Sequence, residues 1–290
     1  MTIDIISRLD GLTVKEILYN ELGLSHGQVV KLKKDEQGIV LNGERVTVVH
    51  RVTAGDVLEL ATEDSEGDIN EMIEPVNIPV DIIYEDDYIL CVNKPSSMPT
   101  HPSHGHHYDT LANALCYYYK EQGRPFVFRA VNRLDSETSG VVLIAKDRTS
   151  AFKLGASLKN GGFKKEYLAL VKGRPEPGEG CIETYIRRSR ESIIFRENAE
   201  TGIPSEYAKS FYKVERNDND RSLVRVNPVT GRTHQIRLHL CHIGHPIIGD
   251  SLYAEAGDRL MLHALSLEFP HPVTSEVIRV ESDLPLCFNI

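Results

Sequence analysis

Two periodicities divide the chain. Between residues 13 and 32 apolar positions recur at helical spacing. Val14, Ile17, Leu18 and Leu22 share one face behind Thr13 and Glu16, a capping-box pair, and Ser25 with Gln28 repeats that signature ahead of Val29 and Leu32. Asn42-Gly43, set between apolar residues, is a tight-hairpin signal, and Gly55-Asp56 leads into a strand over 57–60. Beyond residue 75 strand-like runs dominate. Residues 82–84 and 88–92 flank the turn Glu85-Asp86-Asp87, 211–214 and 223–226 flank Asn217-Asp218-Asn219-Asp220, and 141–145 is continuously apolar. Over 164–173 alternation puts Tyr167, Ala169 and Val171 on one face and Leu168 and Leu170 on the other. A helix is expected from Asp147 to about Lys159, with Ala151, Leu154 and Leu158 inward and Asn160-Gly161 ending it. Hairpins with occasional helices predict an α+β protein whose larger domain, residues 76–290, is built on a largely antiparallel mixed sheet, preceded by a small α/β module over 1–62.

The join between these parts changes how the charge is read. The chain carries 33 Lys and Arg against 42 Asp and Glu, a formal net charge of −9, where a nucleic-acid protein is expected to be basic. Residues 63–75 hold Glu63, Asp64, Glu66, Asp68, Glu71 and Glu74, no basic residue and a closing Pro75, and so predict an acidic linker. Setting those six acids aside leaves −3, so local basic patches remain able to bind a polyanion. Two such patches are visible, Lys159, Lys164 and Lys165 around Gly161-Gly162, and Arg187, Arg188 and Arg190. Either they are solvated surface or they follow a phosphate backbone. Five cysteines, Cys91, Cys116, Cys181, Cys241 and Cys287, form no Cys-x-x-Cys pair and fit reduced thiols. With no apolar leader and no bilayer-length run, a cytoplasmic protein is expected, and nothing suggests an assembly larger than a monomer.

Chemistry is expected first at Asn132-Arg133-Leu134-Asp135-Ser136-Glu137-Thr138-Ser139-Gly140. In extended chain, residues two apart project to one side, so Arg133 and Asp135 can share a cleft before the backbone turns at Ser139-Gly140. A lone Arg-x-Asp is more often a surface ion pair. Here, however, two further segments follow. One is Lys164-Lys165-Glu166-Tyr167-Leu168-Ala169-Leu170-Val171-Lys172-Gly173. The other is Gly231-Arg232-Thr233-His234-Gln235-Ile236-Arg237-Leu238-His239-Leu240, which continues into Gly244-His245-Pro246-Ile247-Ile248-Gly249-Asp250, with Leu262-His263-Ala264 behind it. A carboxylate without a second acid or metal cluster nearby in sequence suits a nucleophile better than half of an acid/base pair.

Together these motifs, over roughly residues 75–290, closely resemble the RluA-type pseudouridine synthases. The resemblance implies a bent mixed sheet with the active cleft across its middle, and isomerisation of uridine in structured RNA after the base is flipped out of its stack. It implies RNA as partner and neither cofactor nor metal. The nucleophile then falls on Asp135, the motif tyrosine on Tyr167 and the active-site arginine on Arg237, whose guanidinium would favour the ionised carboxylate. Tyr167 either stacks on the uracil or accepts the C5 proton; taken alone it is a core strand tyrosine. Arg133 is expected against a neighbouring phosphate or the flipped base, with Lys165, Arg232 and His234 also along the RNA. Asn132 stands where most of the family carries histidine and implies a different hydrogen-bond partner beside the nucleophile.

The helix, helix, hairpin order of residues 5–62, with Arg8-Leu9-Asp10 ahead of it, resembles the RNA-binding module named after ribosomal protein S-four. This implies that Lys31, Lys33 and Lys34 face RNA, although His26, Gln28 and Glu44 replace common basic positions. Ribosomal RNA is therefore the first expected target and transfer RNA the second. Two other functions compete: a non-catalytic RNA-binding or assembly protein, and a metal-dependent hydrolase using His101, His104, His106 and His107 with Asp109. The neighbouring Asn93-Lys94-Pro95 and Asp109-Thr110-Leu111 match the synthase pattern instead.

Overall fold

The computed structural model describes residues 1–24, 26–61, 73–189, 195–199 and 205–290. The expected helix cap at Ser25, most of the acidic segment and Arg190 lie outside them. The first sixty residues build strand β1 (Thr2–Asp4), helix α1 (Val14–Glu16) running into a wider π turn (Ile17–Glu21), helix α2 (His26–Lys34) and strands β2 (Ile39–Leu41), β3 (Glu44–Arg45) and β4 (Val57–Leu60). The Thr13 hydroxyl accepts from the Glu16 amide, and Glu16 Oε2 accepts from the Thr13 amide at 2.8 Å, so the capping box is realised. Asn42 and Gly43 turn the hairpin at φ 52° and 84°, a conformation both residue types tolerate. The strands form an antiparallel sheet ordered β1-β4-β2-β3. Beneath it Val14, Ile17, Leu18, Val29, Leu32 and Leu58 form a core of their own, joined by one residue from far along the chain, Phe152.

Phe152 belongs to helix α4 (Arg148–Lys159), capped by Asp147, whose carboxylate accepts from the Ser150 amide at 2.8 Å. This helix is covered on two sides. Leu154 packs on the large sheet, whereas Phe152 enters the N-terminal core. A single inward face of Ala151, Leu154 and Leu158 was the simpler expectation; Ala151 and Leu158 are only half-buried because the helix serves two neighbours.

The large sheet has ten strands: β5 (Asp81–Glu85), β6 (Ile89–Lys94), β7 (Ser139–Ala145), β8 (Lys164–Lys172), β9 (Glu179–Arg188), β10 (Arg196–Asn198), β11 (Glu206–Asp218), β12 (Arg221–Pro228), β13 (Leu262–Pro270) and β14 (Val277–Glu281). Their order is β10-β9-β11-β12-β8-β13-β7-β6-β5, with β14 on β13. Among the described residues every strand pairing is antiparallel except β13 with β7, where His263 and Ala264 meet Ser139 and Gly140. Gly140 has φ +114°, and any side chain there would overlap the Ala264 carbonyl, so only glycine permits this close approach. Helix α3 (Leu111–Glu121) packs on β6 and β7, and α5 (Gln235–His242) lies near β9, β10 and β11. The segment leading into β7 carries Asp135, which therefore sits beside the parallel seam where the two halves of the sheet join. Among the described residues no helix is long and apolar enough to cross a membrane.

Candidate active site

The loop that carries Asp135 is held from below by the 94–100 segment. Lys94 is fully buried, and its ammonium donates to the carbonyls of Pro95 (2.9 Å), Met98 (2.7 Å) and Ser136 (3.1 Å). Burial brings its pKa down to about 7, with Asp135 opposing that shift. Thr100 Oγ1 donates to the Leu134 carbonyl at 3.1 Å and Ser96 Oγ to that of Glu137 at 2.6 Å. Both polar ends of the Asn132 amide are spent on β7 rather than on Asp135. It donates to the Val141 carbonyl at 3.2 Å and accepts from the Leu143 amide at 2.8 Å, stitching the loop to β7.

A cleft of about 870 Å³ opens above this loop, and its lining brings together Asp135, Tyr167, Arg237, Arg133, Lys165, Arg232 and His234, from three separated motifs. Tyr167 comes from β8. Its hydroxyl is held above the ordinary phenol range by burial first and the negative charge of Asp135 second. Lys165, two residues away on the same strand, has no carboxylate partner among the described residues, and burial lowers its pKa. Arg133 is exposed at the rim, and Arg232 is tied there by Glu206 at 2.8 Å and the Tyr207 carbonyl at 3.1 Å. His234 precedes α5 in a left-handed conformation, φ 57°, with Nε2 at 4.0 Å from Asp135 Oδ2.

Arg237 departs from the expected direct pairing with the nucleophile. Its side chain is 1 % exposed, and its Nε and Nη2 donate to the two oxygens of equally buried Asp250 at 2.9 and 2.5 Å. Its Nη1 meets Glu137 at 3.0 Å. Asp135 adds only a more distant attraction. The guanidinium has five donors, and two carboxylates nearer than Asp135 occupy its fork. Asp250, Glu137 and Lys94 were therefore missed as site residues. Their motifs were in view, but only the tertiary pairing reveals their partners.

The three lysines of α2 are separated by the fold. Lys31 lines a second cleft of about 580 Å³ between α2, α4 and the 127–133 segment, while Lys33 and Lys34 are exposed and do not line it. Of the other expected cations, Lys164 pairs with Glu268 at 2.5 Å, Arg187 with Glu197 at 2.5 Å, and Lys159 donates to the Tyr19 carbonyl. The histidines of 101–107 do not converge. His106 bonds Asp109 at 2.7 Å, His101 stands edge-on to Phe128, and among the described residues no three His, Cys, Asp or Glu side chains are grouped as a metal ion requires.

Removing one partner of a buried pair strands a charge, at a cost of about 3–5 kcal/mol, whereas exposed pairs contribute under about 1 kcal/mol. Asp250→Ala is accordingly expected to lower the unfolding free energy by at least about 3 kcal/mol in urea denaturation, and Arg232→Ala by under about 1 kcal/mol.

Comparison with known proteins agrees with the motifs. The RNA pseudouridylate synthase family matches residues 88–242. An uncharacterised RNA pseudouridine synthase of Bacillus subtilis is 37% identical over 278 residues, 94% of this chain and 96% of that protein. The ribosomal large subunit pseudouridine synthase C of Escherichia coli is 35% identical over 274 residues, 87% of this chain and 82% of that protein. Among solved structures, human RNA pseudouridylate synthase domain containing 1 superposes with a TM-score of 0.61 at 27% identity, covering 71% of this chain and 84% of its own. The cleft motifs, the fold around them and these relatives make one assignment: the chain belongs to the RNA pseudouridylate synthase family.

Proposed function

We propose that this protein converts a uridine of structured RNA, in the first instance ribosomal RNA and otherwise transfer RNA, to pseudouridine with Asp135 as nucleophile. The observation that carries the reading is the convergence of Asp135, Tyr167 and His234 on one open cleft, with Arg237 locked beneath it. An Asp135 oxygen attacks C1′ of the everted nucleotide, and the N1–C1′ bond breaks with its electron pair leaving on the uracil. The uracil turns, C5 bonds to C1′ as the carboxylate departs, C5 loses its proton and N1 gains one. Substrate and product are isomers, so the balance needs no cofactor.

Of the two roles open to Tyr167, we assign it that of a stacking platform. Burial and the Asp135 charge both disfavour its phenolate, so the ring keeps its proton and offers an apolar face to the uracil. Lys165 and Arg133 supply positive charge for the flanking phosphates.

The N-terminal residues 1–62 act as a separate RNA-contacting module, joined to the catalytic part, 76–290, through the acidic 63–75 segment. Supporting this, the second cleft is lined by Lys31, Arg129 and Arg148 and shares Thr100, His101 and Arg133 with the first. A strand leaving the active site by that route passes Arg133 and reaches α2. We place the enzyme in the cytoplasm and take it to act as a monomer.

Asp135→Asn is expected to abolish tritium release from 5-tritiated uridine in total ribosomal RNA while changing RNA affinity less than about twofold; unchanged release removes Asp135 from the chemistry. Lys31→Ala is expected to weaken RNA binding several-fold and reduce the salt slope of log K by about one, with the single-turnover rate at saturating RNA unchanged.

A further inference from the structure

Outside the residues that line the cleft, Tyr253 touches His234 in a way that selects where the imidazole carries its proton. The Tyr253 hydroxyl has two neighbours among the described residues. The Arg196 backbone amide donates to it at 3.0 Å, and His234 Nδ1 lies 2.8 Å away. An amide N–H can only donate, so the hydroxyl oxygen accepts from Arg196 and its own hydrogen is left for His234. A phenol oxygen can accept twice, but only with Nδ1 as acceptor is the tyrosine hydrogen also used, and the neutral ring then carries its own hydrogen on Nε2. That nitrogen faces Asp135 Oδ2 at 4.0 Å. The other tautomer would aim a lone pair at the carboxylate and leave the tyrosine hydrogen without an acceptor. Both ends of the chain therefore select the same form.

Three features of the fold maintain this chain. His234 occupies the left-handed region at φ 57°, an uncommon position for a residue with a side chain, and it turns the ring out of α5 towards the nucleophile. The two rings meet edge-to-face at 5.6 Å. Tyr253 is placed by Asp250, whose Oδ1 accepts from the Leu252 and Tyr253 amides at 3.0 and 3.1 Å while also holding Arg237. The imidazole is kept neutral chiefly by burial, which lowers its pKa, with Arg237 and Arg196 acting in the same direction and Asp135 and Asp250 opposing.

We propose that His234 is a positioning residue for the nucleophile: the relay from the Arg196 amide through the Tyr253 hydroxyl locks the Nε2–H tautomer, which donates to Asp135 Oδ2 and leaves Oδ1 to attack C1′. This deepens the reading of Asp135 as nucleophile and rests on it. The separation of 4.0 Å is beyond hydrogen-bond length and closes as Asp135 turns towards the ribose, since catalytic hydrogen bonds commonly tighten only with substrate bound.

The test has two independent arms. In the full-length protein labelled with 15N-histidine, two-bond correlation spectra, with the His234 signals assigned through His234→Gln, should give the pattern of an Nε2–H neutral ring; an Nδ1–H pattern overturns the relay whether or not Asp135 is the nucleophile. Kinetically, Tyr253→Phe should lower the single-turnover rate roughly tenfold, the worth of about one orienting hydrogen bond, with RNA affinity unchanged. The same change made on His234→Leu should have no further effect, and His234→Gln, which keeps a side-chain N–H, should recover part of the rate. Independent, multiplying effects of Tyr253→Phe and His234→Leu would overturn the proposal. Failure of Asp135→Asn to stop the reaction would instead overturn the underlying reading, which keeps the two failures distinct.

Discussion

A guanidinium sealed from solvent has to be neutralised where it stands, because the desolvation of an unpaired charge costs several kcal/mol. Arg237 is such a group, and the two carboxylates that meet it come from different parts of the chain. Asp250 follows α5, and Glu137 lies in the loop before β7. The buried charge thus ties together the two segments that face each other across the cleft. Asp135 stands two residues from Glu137, and Tyr253 three residues from Asp250, so the nucleophile and the tyrosine behind His234 are both set by one electrostatic requirement. The bidentate geometry with Asp250 adds direction to the attraction, since a fork-to-carboxylate pair tolerates little rotation.

The parallel contact between β13 and β7 complements that requirement. It brings Gly140 against Ala264 and aligns the Asp135 loop with β8, which pairs with β13 from its other side and carries Tyr167 and Lys165. Lys94, with no surface exposed, fixes the same loop from the opposite direction by bonding three carbonyls. The nucleophile therefore sits on a loop whose backbone is over-determined, as a site that must hold its geometry through bond breaking requires.

Much of this was legible along the chain because its causes are local. The capping box at Thr13, the Asn42-Gly43 turn, the Asp147 cap and the alternation of β8 each depend on residues within a few positions. The projection of Arg133 and Asp135 into one cleft follows from the two-residue period of extended chain. What was not legible depends on partners far away. Arg237 pairs with residues 13 and 100 positions distant rather than with Asp135, and helix α3 went unpredicted. The basic clusters divide for the same reason. Lys164 and Arg187 are neutralised by Glu268 and Glu197, acids that sequence proximity does not reveal, whereas Lys165 lies in the cleft with no carboxylate partner among the described residues. In a chain of net charge −9, which cations remain to face a polyanion is decided by tertiary pairing rather than by composition.

All of these constraints converge on the carboxylate of Asp135, and the most direct measurement is to catch it bonded to RNA. Fluorine at C5 draws electron density from that carbon and weakens its attack on C1′, so RNA substituted with 5-fluorouridine should slow the rejoining step and let the ester between Asp135 and C1′ accumulate. Mass spectrometry of the trapped, protease-digested protein should then find the nucleotide on the peptide containing Asp135. Attachment to another residue, or no adduct from an enzyme that turns over unsubstituted RNA at its full rate, would contradict the account.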